Sequence, residues 1–212
     1  AFSERTVKQG ATLEEFVRTV GSGLAASGPF LLALVVMGPF LWAATLLIND
    51  VYDLPGDRIN PRKARSPLVQ GLVTRGWANR AAYAFAALSL GAAALVNLSF
   101  LTMVAGCLAL AWLYSMPPVR LKTRPGMDVA VNAIGIGVLS GMAGWAIARP
   151  LAEFPFVFLP QGLLVATAIY VPTTLWDFEA DRASGYLTVA THLGPERTYR
   201  LGWWAWILCN AG

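Results

Sequence analysis

Residues 81–119 read AAYAFAALSLGAAALVNLSFLTMVAGCLALAWLYSMPPV, a run of 39 residues without Asp, Glu, Lys or Arg. A buried helix in a soluble protein seldom carries more than about 14 apolar residues, whereas a crossing of the hydrocarbon core takes about 20. The run is long enough for two crossings. Asn97-Leu98-Ser99 is its only polar punctuation, so the turn is placed there. Four more charge-free runs, 19–49, 129–148, 154–176 and 201–212, hold 31, 20, 23 and 12 residues. The alternating segments of a membrane β-barrel are absent. The fold class is therefore all-α, a multi-span transmembrane helical bundle. Spans are expected at about 24–48, 80–97, 100–116, 129–148, 155–176 and 200–212, the last cut short by the end of the sequence.

Composition agrees. Of 212 residues, 56% are hydrophobic and 13% charged, against about 25% charged in soluble proteins. The mean hydropathy is +0.55. A disordered chain, a coiled coil and a small disulfide scaffold are excluded. Cys107 and Cys209 both lie in apolar runs and read as packing residues. The net charge of +4 calls for no nucleic acid, because the basic residues sort by side. Twelve Lys/Arg fall in the stretches 50–80, 120–128 and 177–200, and the alternate connections hold only Arg149. By the positive-inside rule the basic side is cytoplasmic.

Residues 1–23 fit this topology less well, with Arg5, Lys8 and Arg18 on the outer side. An interfacial helix over 11–20 and a missing upstream span are both open readings. The chain reads as one membrane-embedded domain over 1–212, a fragment of a longer protein. Pro29, Pro39, Pro155, Pro160 and Pro172 predict kinked helices. Gly137, Gly141 and Gly144 predict close helix packing.

Five of the six aspartates form two clusters, Asn49-Asp50-x-x-Asp53-x-x-x-Asp57 and Asp177-x-x-x-Asp181. On a helix Asp53 lies roughly 60° from Asp50, Asp57 about 20° from it, and Asp181 about 40° from Asp177. Each cluster thus lines one face, while Glu179 points away. Pro55-Gly56 is expected to unwind the first helix, so that Asp57 arrives from a loop. Four spans separate the clusters, so both face the same side. Carboxylates on one face repel unless a cation compensates. Hard oxygens suit Mg2+, which takes one or two carboxylates and completes its shell with phosphate oxygens. Basic residues in the same loops supply direct phosphate contacts, the other half of a diphosphate site.

Asn49-Asp50-Val51-Tyr52-Asp53 with Asp57, then Asn60-Pro61-Arg62-Lys63 and Arg65-Ser66-Pro67-Leu68, resembles the first aspartate motif of the UbiA superfamily of membrane prenyltransferases. Asp177-Phe178-Glu179-Ala180-Asp181-Arg182, with Gly185, Thr188 and Leu193-Gly194, resembles the second, and Tyr114-Ser115-Met116-Pro117-Pro118-Val119-Arg120-Leu121-Lys122 the loop between them. The resemblance implies a central cavity capped by cytoplasmic loops. It implies Mg2+-dependent transfer of a prenyl group from an isoprenoid diphosphate to a hydrophobic acceptor, an aromatic ring, tetrapyrrole or carotenoid, with release of diphosphate. Carried over, Asp50, Asp53, Asp57, Asp177 and Asp181 hold the metal and Asn49 helps bind the diphosphate through it. Arg62, Lys63, Arg120 and Lys122 contact the diphosphate, and Tyr114 sits near the allylic carbon. The chain departs from the pattern in showing six spans where members have about nine. It also has Pro118 where many members place a Lys, which leaves that basic role to Arg120 or Lys122.

Trp112, Tyr114, Trp145, Tyr170 and Trp176 are the aromatic candidates for shielding a carbocation. Asp128 reads as an N-terminal helix charge or an acceptor-positioning group, and His192 as a loop residue. An ion-coupled transporter is the rival reading, but it calls for carboxylates in mid-span. A bacterial or archaeal cell membrane is the expected location.

Overall fold

The charge-free runs become helices. In the computed structural model, which describes residues 27–211, five helices are long and apolar enough to cross a membrane: Ser27–Asp57 (α1), Arg75–Val96 (α2), Leu98–Ser115 (α3), Met127–Ala146 (α4) and Phe158–Trp176 (α5). Three shorter ones follow, Phe178–Ala183 (α6), Val189–Leu193 (α7) and Pro195–Asn210 (α8). Among the described residues there is no strand. The expectations for residues 1–23 lie outside the described residues.

The long apolar run folds as a helical hairpin broken at one residue. Asn97, with extended backbone, ends α2 and opens α3. Its side-chain oxygen accepts the Phe100 N–H at 2.8 Å, one of the first-turn donors that a helix leaves unpaired. Its amide donates to the Ala146 carbonyl at 2.8 Å, tying the hairpin to the end of α4.

The expected sixth span, over 200–212, falls on α8, which reaches Asn210 and is not among the five membrane-length helices of the described residues. One expectation needs correction: α1 does not unwind at Pro55 but continues to Asp57. Pro55 removes one backbone donor close to the helix end, where the turn is carried on by Arg58 N–H to the Leu54 carbonyl (3.2 Å) and Ile59 N–H to the Gly56 carbonyl (3.1 Å). Asp57 is therefore presented by the helix.

Proline does perturb α1 higher up, where Val36–Phe40 widens into a π-helical turn around Pro39. A second π-helical stretch, Ala133–Leu139, lies in α4, and the Ser140 hydroxyl donates to the Gly135 carbonyl at 2.9 Å.

In the bundle α1 packs on α2 and α3, α3 on α4, α4 on α5, and α5 on α8. Small residues set the spacing: Ala33, Ala44, Ala93 and Ala143 are buried beside Phe100 and Val104. The tightest crossing is α4 on α5, where a Cβ on Gly137 would sit 2.1 Å from the Gly162 carbonyl oxygen. Gly141 and Gly144 face open space, so only one of the three expected glycines is needed for approach. Large apolar side chains such as Leu95, Leu98, Val157 and Ile169 point outward. That surface suits lipid and would be a liability in water. The chain is an integral membrane protein.

Candidate active site

Helices α1, α3, α4 and α5 enclose a cavity of about 440 Å³. Its deep part is apolar, lined by Met37, Leu41, Leu110 and Ile136, and its charged residues gather where α1 and α5 end. Asn49, Asp53 and Asp57 line it from the last turns of α1. Asp177, the residue between α5 and α6, and Asp181 on α6 line it from the far wall. Asp50 does not line the cavity, but Lys63, which does, reaches it at 3.4 Å. Exposed Glu179 turns away, as its helical phase predicts. The carboxylates thus sit at helix ends, unlike the mid-span groups a transporter needs.

The four basic residues expected here reach these acids. Arg62 donates to Asp177 at 2.6 Å and stacks on Trp176 with its guanidinium 5.4 Å from the ring centroid. It rides on a short 3-10 turn, Pro61–Lys63, whose Asn60 cap accepts the Arg62 N–H at 3.0 Å and donates to Asp177 at 3.2 Å. Lys63 lies 3.4 Å from Asp50 and 3.7 Å from Asp57. Lys122 is buried, pairs with Asp53 and donates to Asn49 at 3.0 Å. Arg120 approaches Asp53 at 3.4 Å and donates to the Tyr52 carbonyl at 3.1 Å and the Tyr186 hydroxyl at 2.9 Å. Arg120 holds φ at 39°, the one positive-φ residue other than glycine among those described. Such backbone costs about 1–3 kcal/mol and persists where the surroundings impose it.

The electrostatics follow from this pairing. Burial alone would depress the Lys63 ammonium, but the carboxylates of Asp50 and Asp57 outweigh it and hold the pKa above its ordinary value. For Lys122 burial wins, and its pKa falls despite Asp53. Asp181 has no ion pair among the described residues. Burial, then the neighbouring Asp177 charge, raise it to about 6, against a hydrogen bond from Thr188. Five aspartates face four cations, so the protein's own side chains leave the mouth acid-rich.

Of the five aromatic candidates, Tyr114 and Tyr170 line the cavity, their hydroxyls 2.6 Å apart. The other three do not. Trp112 packs against Tyr83, Trp145 lies at the opposite end against Phe154, and Trp176 is exposed beneath Arg62. Cys107, read as a packing residue, is buried and also borders the cavity. His192 is exposed and away from it. Sequence reasoning missed Trp42 and Tyr186, both cavity-lining, and gave no role to Thr188 of the second motif, which lines the cavity too. The turn glycine before Tyr186 (Gly185, φ 70°) was the available signal that this side chain folds back toward the helices.

Among the described residues, no three His, Cys, Asp or Glu side chains stand close enough together to hold a metal ion by themselves. The donor set nonetheless fits Mg2+. Hard oxygens converge from two walls on an open mouth, leaving positions for water and phosphate oxygens, as that ion requires.

Comparison with known proteins agrees with this fold. A family model described as the UbiA prenyltransferase family matches residues 19–211. The chain belongs to that family. Among its UbiA-family relatives, a lycopene elongase/hydratase of Halobacterium salinarum is 33% identical over 184 residues, covering 84% of this chain and 64% of its own. A bacteriochlorophyll synthase 33 kDa chain of Cereibacter sphaeroides is 30% identical over 179 residues, covering 81% and 57%. The structure of a UbiA homolog from Archaeoglobus fulgidus bound to GPP and Mg2+ superimposes with a TM-score of 0.76 at 31% identity, covering 84% of this chain and 62% of that one. The chain thus spans less than two thirds of the length of each.

Proposed function

We propose that this chain is the donor-binding part of a Mg2+-dependent membrane prenyltransferase, a single membrane-embedded domain that moves a prenyl group from an isoprenoid diphosphate to a hydrophobic acceptor. One observation carries the reading: four aspartates line the mouth of one apolar cavity from two opposite walls, and Arg62, Lys63, Arg120 and Lys122 pair with Asp53, Asp57 and Asp177 among these and with Asp50. A diphosphate is strongly anionic, so an acid-rich mouth accepts it only with added cations. Mg2+ held by Asn49, Asp50, Asp53, Asp57, Asp177 and Asp181 would supply that charge and stabilise the leaving group.

The residues have distinct tasks in this reading. Arg62, Lys63, Arg120 and Lys122 bind phosphate oxygens directly, trading part of their pairing with the aspartates. The allylic C–O bond breaks and its electron pair leaves with the diphosphate. The ring faces of Tyr114 and Tyr170 stabilise the cation left behind. The apolar walls keep water from it until a nucleophilic atom of the acceptor attacks and bonds to the allylic carbon, any proton on the acceptor being lost from it. The relatives support a carotenoid or tetrapyrrole acceptor. The bias of twelve basic residues to one in the connections supports a cytoplasmic mouth in a bacterial or archaeal membrane.

The test is diphosphate release from geranylgeranyl diphosphate by the protein in liposomes. It is run with carotenoid, tetrapyrrole and quinone-ring acceptors, with and without Mg2+, beside Asp50→Ala and Asp177→Ala. Mg2+-dependent release with one acceptor, lost in both variants, is expected. No release from any pairing, with both variants binding the donor as the native chain does, overturns the reading.

A further inference from the structure

Asp128 opens α4 but is 1% exposed and does not line the cavity. A simple helix-terminus charge needs no such burial, and an acceptor-positioning group would face the cavity. Its partner lies elsewhere. The Val189 N–H, 61 positions along the chain, donates to Asp128 Oδ2 at 2.9 Å, wholly buried. Val189 is the first residue of α7, where a helix leaves its N–H groups unpaired.

From that bond a connected set of hydrogen bonds leads back to the cavity. Thr188 caps α7, its N–H donating to the Thr191 hydroxyl at 2.9 Å. The Thr191 hydroxyl donates to the Tyr186 carbonyl at 2.8 Å. The Tyr186 N–H donates to the Asp181 carbonyl at 2.9 Å. The Tyr186 hydroxyl accepts from Arg120, which reaches over to Asp53. Thr188, Tyr186 and Asp181 all line the cavity.

We propose that Asp128 is a positioning residue for the diphosphate end of the site: its buried carboxylate anchors residues 184–189 and so holds Asp181, Thr188 and Tyr186 in the cavity wall. This rests on the proposed function for what the wall binds, but the anchoring itself is independent of it.

Three variants separate the possibilities. Asp128→Ala removes the acceptor. Val189→Pro removes the donor at a first-turn position, where proline is tolerated. Asp128→Asn keeps an oxygen for Val189, and Oδ1 has no hydrogen bond to lose among the described residues. The measurements are the Kd of geranyl diphosphate in MgCl2, turnover at saturation, and the rate of tryptic cleavage after Arg182.

Asp128→Ala and Val189→Pro are each expected to weaken binding about tenfold or more, the size seen when support behind a metal-site ligand is lost. Cleavage after Arg182 should quicken in both. Saturated turnover should stay near native, and the double variant should bind no worse than either single one. Asp128→Asn should bind and cleave as the native chain does. Native-like binding and cleavage in Asp128→Ala and Val189→Pro overturns the proposal. So does an Asp128→Asn chain as impaired as Asp128→Ala, or one that fails to fold. Faster cleavage in the two variants alongside a native chain that binds no geranyl diphosphate supports the anchor and overturns the functional reading instead.

Discussion

Lys122 is the most buried cation of the mouth and touches both Asn49 and Asp53. Arg120 keeps Asp53 partly neutralised when Lys122 is replaced, so the fold tolerates the loss better than the chemistry does. Lys122→Met should cut turnover by about 100-fold, as removal of one preorganised donor does elsewhere, while circular dichroism stays native. Unchanged diphosphate release would remove Lys122 from the site. Tyr114 and Tyr170 invite the opposite test, because their hydroxyls pair with each other at 2.6 Å and leave the rings to face the cavity. Tyr170→Phe keeps the ring and should retain turnover within about tenfold, whereas Tyr170→Leu, which loses the ring face, should fall further. Equal turnover in the two variants would assign the ring no part in stabilising the cation.

At the scale of elements, the α4–α5 crossing offers a matched pair of substitutions. Gly137→Ala would place a methyl 2.1 Å from the Gly162 carbonyl oxygen, a backbone atom that cannot rotate aside. Overpacking of this kind costs about 1–3 kcal/mol. Gly141→Ala meets nothing within 4 Å, and in a helix alanine gains on glycine by up to about 1 kcal/mol. Thermal unfolding in detergent should therefore fall for the first and hold or rise for the second. The α2–α3 break offers another. Asn97→Ala loses both the cap to Phe100 and the link to Ala146 and should cost about 1–2 kcal/mol. Asn97→Ser keeps a capping oxygen and should recover part of it in the same assay.

Across the whole molecule, one acid-rich mouth is the only place where many charges meet an otherwise apolar interior of the described bundle. Mg2+ and diphosphate should therefore bind as a set. Geranyl diphosphate with Mg2+ at about 100 times its Kd should add about 2.7 kcal/mol of stability by linkage, and geranyl diphosphate with EDTA should add little. An equal rise in melting temperature without metal would mean that the cations suffice alone. The outward apolar surface makes a lipid or detergent environment part of any such measurement.

Much of this was legible in the chain itself. Run length against bilayer thickness set the helices, because each span is a local matter of about 20 apolar residues. The i, i+3 and i+4 spacing placed Asp50, Asp53 and Asp57 on one face, because helical phase is also local. Tertiary structure decided what those rules do not reach. Whether Pro55 ends α1 depended on the turn beyond it, and whether Gly137 or Gly141 marks a crossing depended on where α5 lies. Which base meets which acid was not readable either: Arg62 pairs with Asp177, 115 positions away, and Lys122 with Asp53, 69 positions away. Asp128 and Tyr186 acquire roles only through such distant partners. A sequence records the charge and phase of each helix, but hydrogen bonds and ion pairs act over a few ångströms, and only the packed bundle brings those groups that close.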